Sequence, residues 1–118
     1  MKLSPNFDSS EFACNCCGKV IINMDLVSKL QEARNMAGIG FSITSGTRCP
    51  SHNKKEGGLA SSAHITGHAA DIAIADGHQR HVILSALLEA GFKRVGISKH
   101  FIHVDVDSSK PSPTVWLY

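Results

Sequence analysis

Two histidines and two aspartates, Asp71 and Asp76, interrupt SSAHITGHAADIAIADG, residues 61–77, a run otherwise made mainly of small and apolar side chains. His64 comes just ahead of Ala69–Ala75, where alternation puts Asp71 on one face with Ala69 and Ala73, and Ile72 with Ile74 on the other. A second alternating run, Phe101–Val106, puts Phe101, His103 and Asp105 on one face and Ile102, Val104 and Val106 on the opposite one. If these strands pair, Asp71 and His103 converge near His64. A catalytic zinc takes three protein ligands of these types and leaves a fourth position for water, so His64, Asp71 and His103 form a candidate zinc set. Gly67 lets the intervening loop turn sharply, and Ala69 and Ala70 leave room for close approach to a metal. The competing use of such residues is structural, because a histidine beside an apolar strand commonly serves as a hydrogen-bonded core residue.

Other elements must hold this set in place. Asp8 or Ser9 can cap a short helical turn through Glu11 and Phe12, after which Cys14, Cys16 and Cys17 fall in a tight loop closed by Gly18. Leu26, Leu30, Ala33 and Met36 recur at helical spacing behind Asn23, predicting a helix over roughly Met24–Ala37. FSITSG has the alternation and β-branched content of a strand, and TRCPSHNKKEGGLASS has the punctuation of a long loop. After Gly77, Val82, Leu84, Leu87 and Leu88 mark a second amphipathic helix that stops at Gly91. Lys93–Ile97 is a further short strand, and the tail SSKPSPTVWLY is broken by prolines, with Trp116 expected to fold back onto the body. The sum is one α+β domain over residues 1–118, with helices against a small antiparallel or mixed sheet.

Composition narrows the partners. A length of 118 residues suits a single hydrophobic core, and a net charge of +2 without a basic tract argues against a nucleic-acid partner. No run of about 18 apolar residues predicts membrane insertion, and the N-terminus lacks the apolar core of a signal peptide, so synthesis in the cytoplasm without export is expected. Nothing in the sequence specifies an oligomeric state. Seven histidines in so short a chain point to metal or proton chemistry.

Ser62, His64, Gly67, Ala69 and Asp71 reproduce the S-x-H-x-x-G-x-A-x-D pattern of the zinc D-Ala-D-Ala carboxypeptidase family, and the chain resembles its members. That family includes phage endolysin peptidases and shares its fold with the hedgehog signalling domain. Three further segments, in order, resemble family motifs: FACNCCG, SGTRCPSHN (45–53) and GISKHFIHVDV. The resemblance implies a hedgehog/DD-peptidase-like α+β fold, zinc as cofactor, and His64, Asp71 and His103 as its ligands. It implies hydrolysis of a peptide bond in bacterial peptidoglycan stem peptides, on a cell wall reached by some route other than a signal peptide. Arg48 matches the family arginine that stabilises the oxyanion, and His100 occupies the general acid/base place three residues before the last ligand. His52 matches a family position near the active site and is read as structural or substrate-facing, and His68, at a position the family fills with varied residues, is expected to line the cleft without touching zinc. Asp105 shares a face with His103 and can orient a ligand, although a surface salt bridge is the more common use of such a residue, and Ser62 and Thr66 are expected to brace the loop. The alternative is a non-catalytic domain that keeps the zinc for stability and binds wall peptide or a protein.

Cys14, Cys16, Cys17 and Cys49 are expected first as reduced, partly buried thiols. A small structural zinc site is a second use, although C-x-C-C is not a spacing that signals one strongly. A disulfide from Cys49 to the N-terminal loop is a third, suited to a protein working outside the cytoplasm.

Overall fold

The apolar stripe beginning at Leu26 forms helix α1, Met24–Ala37, in the computed structural model, which describes residues 1–118. Asn23 caps it by accepting from the N–H groups of Asp25 and Leu26, and Gly38 ends it. Ahead of it, β1 (Lys2–Ser4) and β2 (Phe7–Asp8) pair antiparallel, and Asp8 caps a 3-10 turn, Ser9–Phe12, through a capping box with Glu11. The remaining strands are β3 (Ile43–Ser45), β4 (Ala69–Ala73), β5 (Arg94–Ile97), β6 (Phe101–Asp105) and β7 (Thr114–Leu117). They form one mixed sheet in the order β3-β4-β6-β5-β7, antiparallel except where β7 lies parallel to β5.

Ile72 on β4 and Ile74 just beyond its end, with Ile102 and Val104 on β6, turn one sheet face towards α1 and towards α3 (Gly77–Glu89). Leu26, Val27 and Leu30 of α1 and Ile83 and Leu87 of α3 are fully buried there. Each such side chain contributes about 1.5–3 kcal/mol by leaving water. The buried stripe of α3 is displaced from the expected one. Ile83, Ala86 and Leu87 face the core, Val82 and Leu84 are half-buried, and Leu88 is 46% exposed. An all-apolar run such as Val82–Leu84 does not itself select a face, and contact with α1 makes the choice.

Two further differences from sequence expectation lie beside the cleft. The segment expected as a long loop contains α2, Pro50–Lys55, with Cys49 at its N-cap and Pro50 in its first turn. The proline-broken tail ends as strand β7, because Thr114–Leu117 lies beyond the last proline and supplies residues with strong β preference.

Register sets the site. Ser45 stands opposite Asp71, Asp71 opposite His103, His103 opposite Gly96 and Gly96 opposite Trp116. These five residues form a single row across all five strands, so the polar members of β4 and β6 meet on the face away from the helices.

Candidate metal centre

β4 and β6 deliver Asp71 and His103 directly, while His64 arrives from the loop before β4. That loop is tied down by its own backbone. Arg48 N–H donates to the His64 carbonyl at 3.1 Å, His68 N–H to the Ala63 carbonyl at 2.9 Å, and Asn23 N–H to the Gly67 carbonyl at 2.9 Å. Gly67 has φ +77°, and a Cβ there would come within 2.2 Å of the Ile21 carbonyl oxygen, so no other residue fits without displacing the loop. Ser62 Oγ accepts from the His64 N–H at 3.3 Å and Thr66 Oγ1 donates to the Ala63 carbonyl at 3.2 Å.

One donor atom each from His64, Asp71 and His103 lies within 4.8 Å of the others, and all three residues are buried. His64 Nε2 is 3.3 Å and His103 Nδ1 is 2.9 Å from the same atom, Asp71 Oδ1. Each ring's other nitrogen is engaged by an acceptor: His64 Nδ1 meets the Gly46 carbonyl at 2.8 Å and His103 Nε2 meets Asp105 Oδ2 at 2.8 Å. With a metal bound, an N–H on those outer nitrogens would satisfy the acceptors and let His64 Nε2 and His103 Nδ1 offer lone pairs inward, in place of their contacts with Asp71 Oδ1. Two imidazoles and one carboxylate with an oriented outer layer make a fitting donor set for zinc.

Burial pushes the Asp71 carboxyl up, but the hydrogen bonds and charges of His103 and His64 outweigh it and hold the group well below the ordinary carboxylate range. His103 moves the other way. Burial lowers its pKa, while hydrogen bonds to Asp105 and Asp71 raise it by more. Asp105 is in turn held down, against its burial, chiefly by His103 and also by Arg94, whose Nε donates to Asp105 Oδ1 at 2.8 Å.

The centre floors a cleft of about 530 Å³ whose walls include Arg48, Glu56, Leu59, Lys110, Trp116 and Tyr118. Arg48 is fixed on three sides: Nε donates to Ser45 Oγ at 3.0 Å, Nη1 to Asn53 Oδ1 at 3.4 Å and Nη2 to Asp71 Oδ2 at 3.3 Å. Asp71 therefore divides its oxygens, Oδ1 facing the imidazoles and Oδ2 the guanidinium. Trp116 closes the far wall, its ring 5.5 Å from His103 and 4.9 Å from the Arg94 guanidinium carbon. Gly96 makes this close approach possible, since a Cβ there would lie 2.5 Å from Trp116 Nε1.

Not every candidate reaches the cleft. His100 is exposed in the turn between β5 and β6, its carbonyl accepts from the Ile74 N–H, and its side chain does not line the cleft. His68 turns away as well, bonding Thr66 Oγ1 at 2.8 Å and the Asn23 side chain at 3.4 Å, so it braces the start of α1. His52 sits on α2 with Nε2 3.8 Å from Glu56 and stands behind the wall. Sequence reasoning missed Glu56, Trp116 as a wall, and the Gly96 beneath it. β5–β7 pairing in the tail, rather than any motif, is what would have revealed the last two.

His64, Asp71 and His103 thus make a candidate three-ligand metal centre at the floor of an open cleft. A family model described as Peptidase M15 matches residues 5–107, and the chain belongs to that family of zinc-dependent peptidases. Among curated proteins, none matches the chain.

Proposed function

We propose that the chain is a zinc metallopeptidase of hedgehog/DD-peptidase-like fold that hydrolyses a peptide bond in the stem peptides of bacterial peptidoglycan. The observation that carries this reading is the convergence of His64, Asp71 and His103 in a cleft shared with a fixed arginine, in a chain of the M15 family. In this reading those three residues hold zinc, which supplies a Lewis acid that acidifies water and polarises a carbonyl. Arg48 is positioned by Ser45, Asn53 and Asp71 to stabilise the negative charge that develops on the carbonyl oxygen, at no reorganisation cost during the reaction.

Proton transfer needs a further group. Of the cleft carboxylates, Asp71 faces both imidazoles and Asp105 is bound to His103 and Arg94, which leaves Glu56 for that work. Leu59, Trp116 and Tyr118 offer apolar surface to the short side chains of a stem peptide. Lys110, held by the Ser61 carbonyl at 2.6 Å and Asp107 at 3.1 Å, offers a cation to its carboxylates.

The experiment is mass spectrometry of purified peptidoglycan fragments incubated with zinc-loaded protein, beside a chelator-treated control. Chelator-sensitive cleavage identifies the bond from the fragment masses, whether terminal D-Ala-D-Ala or an internal bond of endolysin type. The exposed position of His100 favours the rival reading, a zinc-stabilised domain that binds wall peptide or a protein without cutting. Zinc-loaded protein that binds fragments and leaves every mass unchanged supports that rival.

A further inference from the structure

We propose that Cys14, Cys17 and Cys49 hold a second, structural zinc ion, with Cys16 completing a four-thiolate set. Cys16 hides the informative spacing in the sequence. Cys14 and Cys17 form Cys-x-x-Cys followed by Gly18, and the loop turns this pair, rather than adjacent Cys16 and Cys17, towards Cys49. The three sulfurs lie within 4.8 Å of one another. A tetrahedral zinc with Zn–S bonds of about 2.3 Å places its sulfurs about 3.8 Å apart, so a small contraction of the cluster is enough.

The backbone around the sulfurs is arranged for thiolates. Cys49 N–H points at Cys14 Sγ at 3.4 Å, and His52 N–H points at Cys49 Sγ at 3.4 Å. Cys14 N–H donates to the Lys19 carbonyl and Gly18 N–H to the Cys14 carbonyl, both at 2.8 Å, which closes the loop into a compact turn. Cys16 is exposed and lies outside the group formed by the other three sulfurs, so as the fourth thiol it takes the outermost place.

The cluster joins two parts of the chain that the cleft needs together. Thr47 N–H donates to the Phe12 carbonyl at 2.9 Å, and Thr47 Oγ1 exchanges hydrogen bonds with the Ile21 N–H and carbonyl. Segment Gly46–Cys49, docked in this way on the N-terminal region, also carries the carbonyl that orients His64 and the guanidinium on Asp71. A zinc ion here staples that segment at its end, and its binding free energy adds to the stability of the fold.

The test is a metal count on full-length protein purified under reducing conditions, with cobalt substitution in parallel. Two zinc ions per chain are expected, falling to one in Cys14→Ser and Cys49→Ser, while Cys16→Ser keeps two and releases one at lower chelator concentration. Cobalt in the wild-type protein is expected to give intense near-ultraviolet sulfur-to-metal absorption that survives in His64→Ala, which separates this centre from the histidine centre. The cobalt spectrum needs no cysteine variant to fold. One metal per chain in the wild-type protein, a cobalt spectrum without that absorption, or an intact mass showing disulfides despite the reductant overturns the proposal.

Discussion

Asp105 Oδ2 and His103 Nε2 lie 2.8 Å apart, and this contact decides which ring nitrogen of His103 faces Asp71. Asp105 and His103 are alternate residues of β6, so they emerge on the same face, and Arg94 on neighbouring β5 holds the other Asp105 oxygen. The chain Arg94–Asp105–His103 thus gives one ligand a fixed tautomer and orientation. Asp105→Asn keeps the side-chain volume but removes the charge shared between His103 and Arg94. Zinc affinity of the histidine centre is expected to fall about 10–100-fold, measured by competition with a chromophoric chelator. Wild-type affinity in this variant contradicts the role given to Asp105.

Gly67→Ala puts a side chain where φ is +77° and the Ile21 carbonyl oxygen is 2.2 Å from the new Cβ. Backbone strain of this kind costs about 1–3 kcal/mol, and displacement of the loop adds to it. Because the same loop presents His64, thermal denaturation is expected to show a lower Tm, and metal analysis is expected to show weaker zinc retention. A lower Tm with unchanged zinc affinity separates the loop from the ligand and contradicts the linkage.

In the metal-free protein, His103 is raised above its ordinary 6.5 by Asp105 and Asp71 despite burial, and Asp71 is lowered below its ordinary 3.8 by His103 and His64 despite burial. The raised histidine stabilises fully below its unfolded pKa and loses that contribution as pH rises through its folded value. The depressed aspartate contributes above its unfolded pKa and loses that as pH falls through its folded value. Both contributions are at full strength between about pH 4 and 6.5, where this centre favours folding of the metal-free protein most. Zinc needs a deprotonated His103 Nδ1, so the Tm difference between zinc-loaded and metal-free protein is expected to widen as pH rises from about 6 to about 9. A difference that stays constant across that range contradicts this coupling.

Glu56 lines the cleft and His100 does not. Glu56→Gln is expected to lower kcat about 10²-fold or more with zinc content unchanged, and His100→Ala to leave kcat within about threefold. The opposite ranking returns proton transfer to His100 and requires the β5–β6 turn to move during turnover. Arg48→Lys, which loses the forked contacts to Ser45, Asn53 and Asp71, is expected to cost about 10²-fold in kcat.

The convergence of Asp71 and His103 was legible because strand periodicity is strict. Two alternating runs with polar residues on one face put those residues opposite each other once β4 and β6 pair in this register. Helix α1 was legible from its cap and its stripe. Other features depended on information that local pattern does not carry. Pro50 marks a loop or the first turn of a helix equally well, and Cys49 as the cap beside it decides for α2. The three residues from His100 to His103 span the end of a turn, where chain direction rather than spacing sets where a side chain points, and His100 stays outside the cleft. Trp116 reaches His103 only because β7 lies parallel to β5 over the space at Gly96, a relationship between segments far apart in the chain.

The most direct test of the central claim compares zinc content and peptide hydrolysis in wild-type protein, His64→Ala, Asp71→Ala and His103→Ala, with folding checked by circular dichroism. Each folded variant is expected to lose one zinc ion relative to wild type and to lose hydrolysis with it. A folded variant that gives up that metal and still hydrolyses stem peptide at the wild-type rate contradicts the assignment of this centre as the peptidase site.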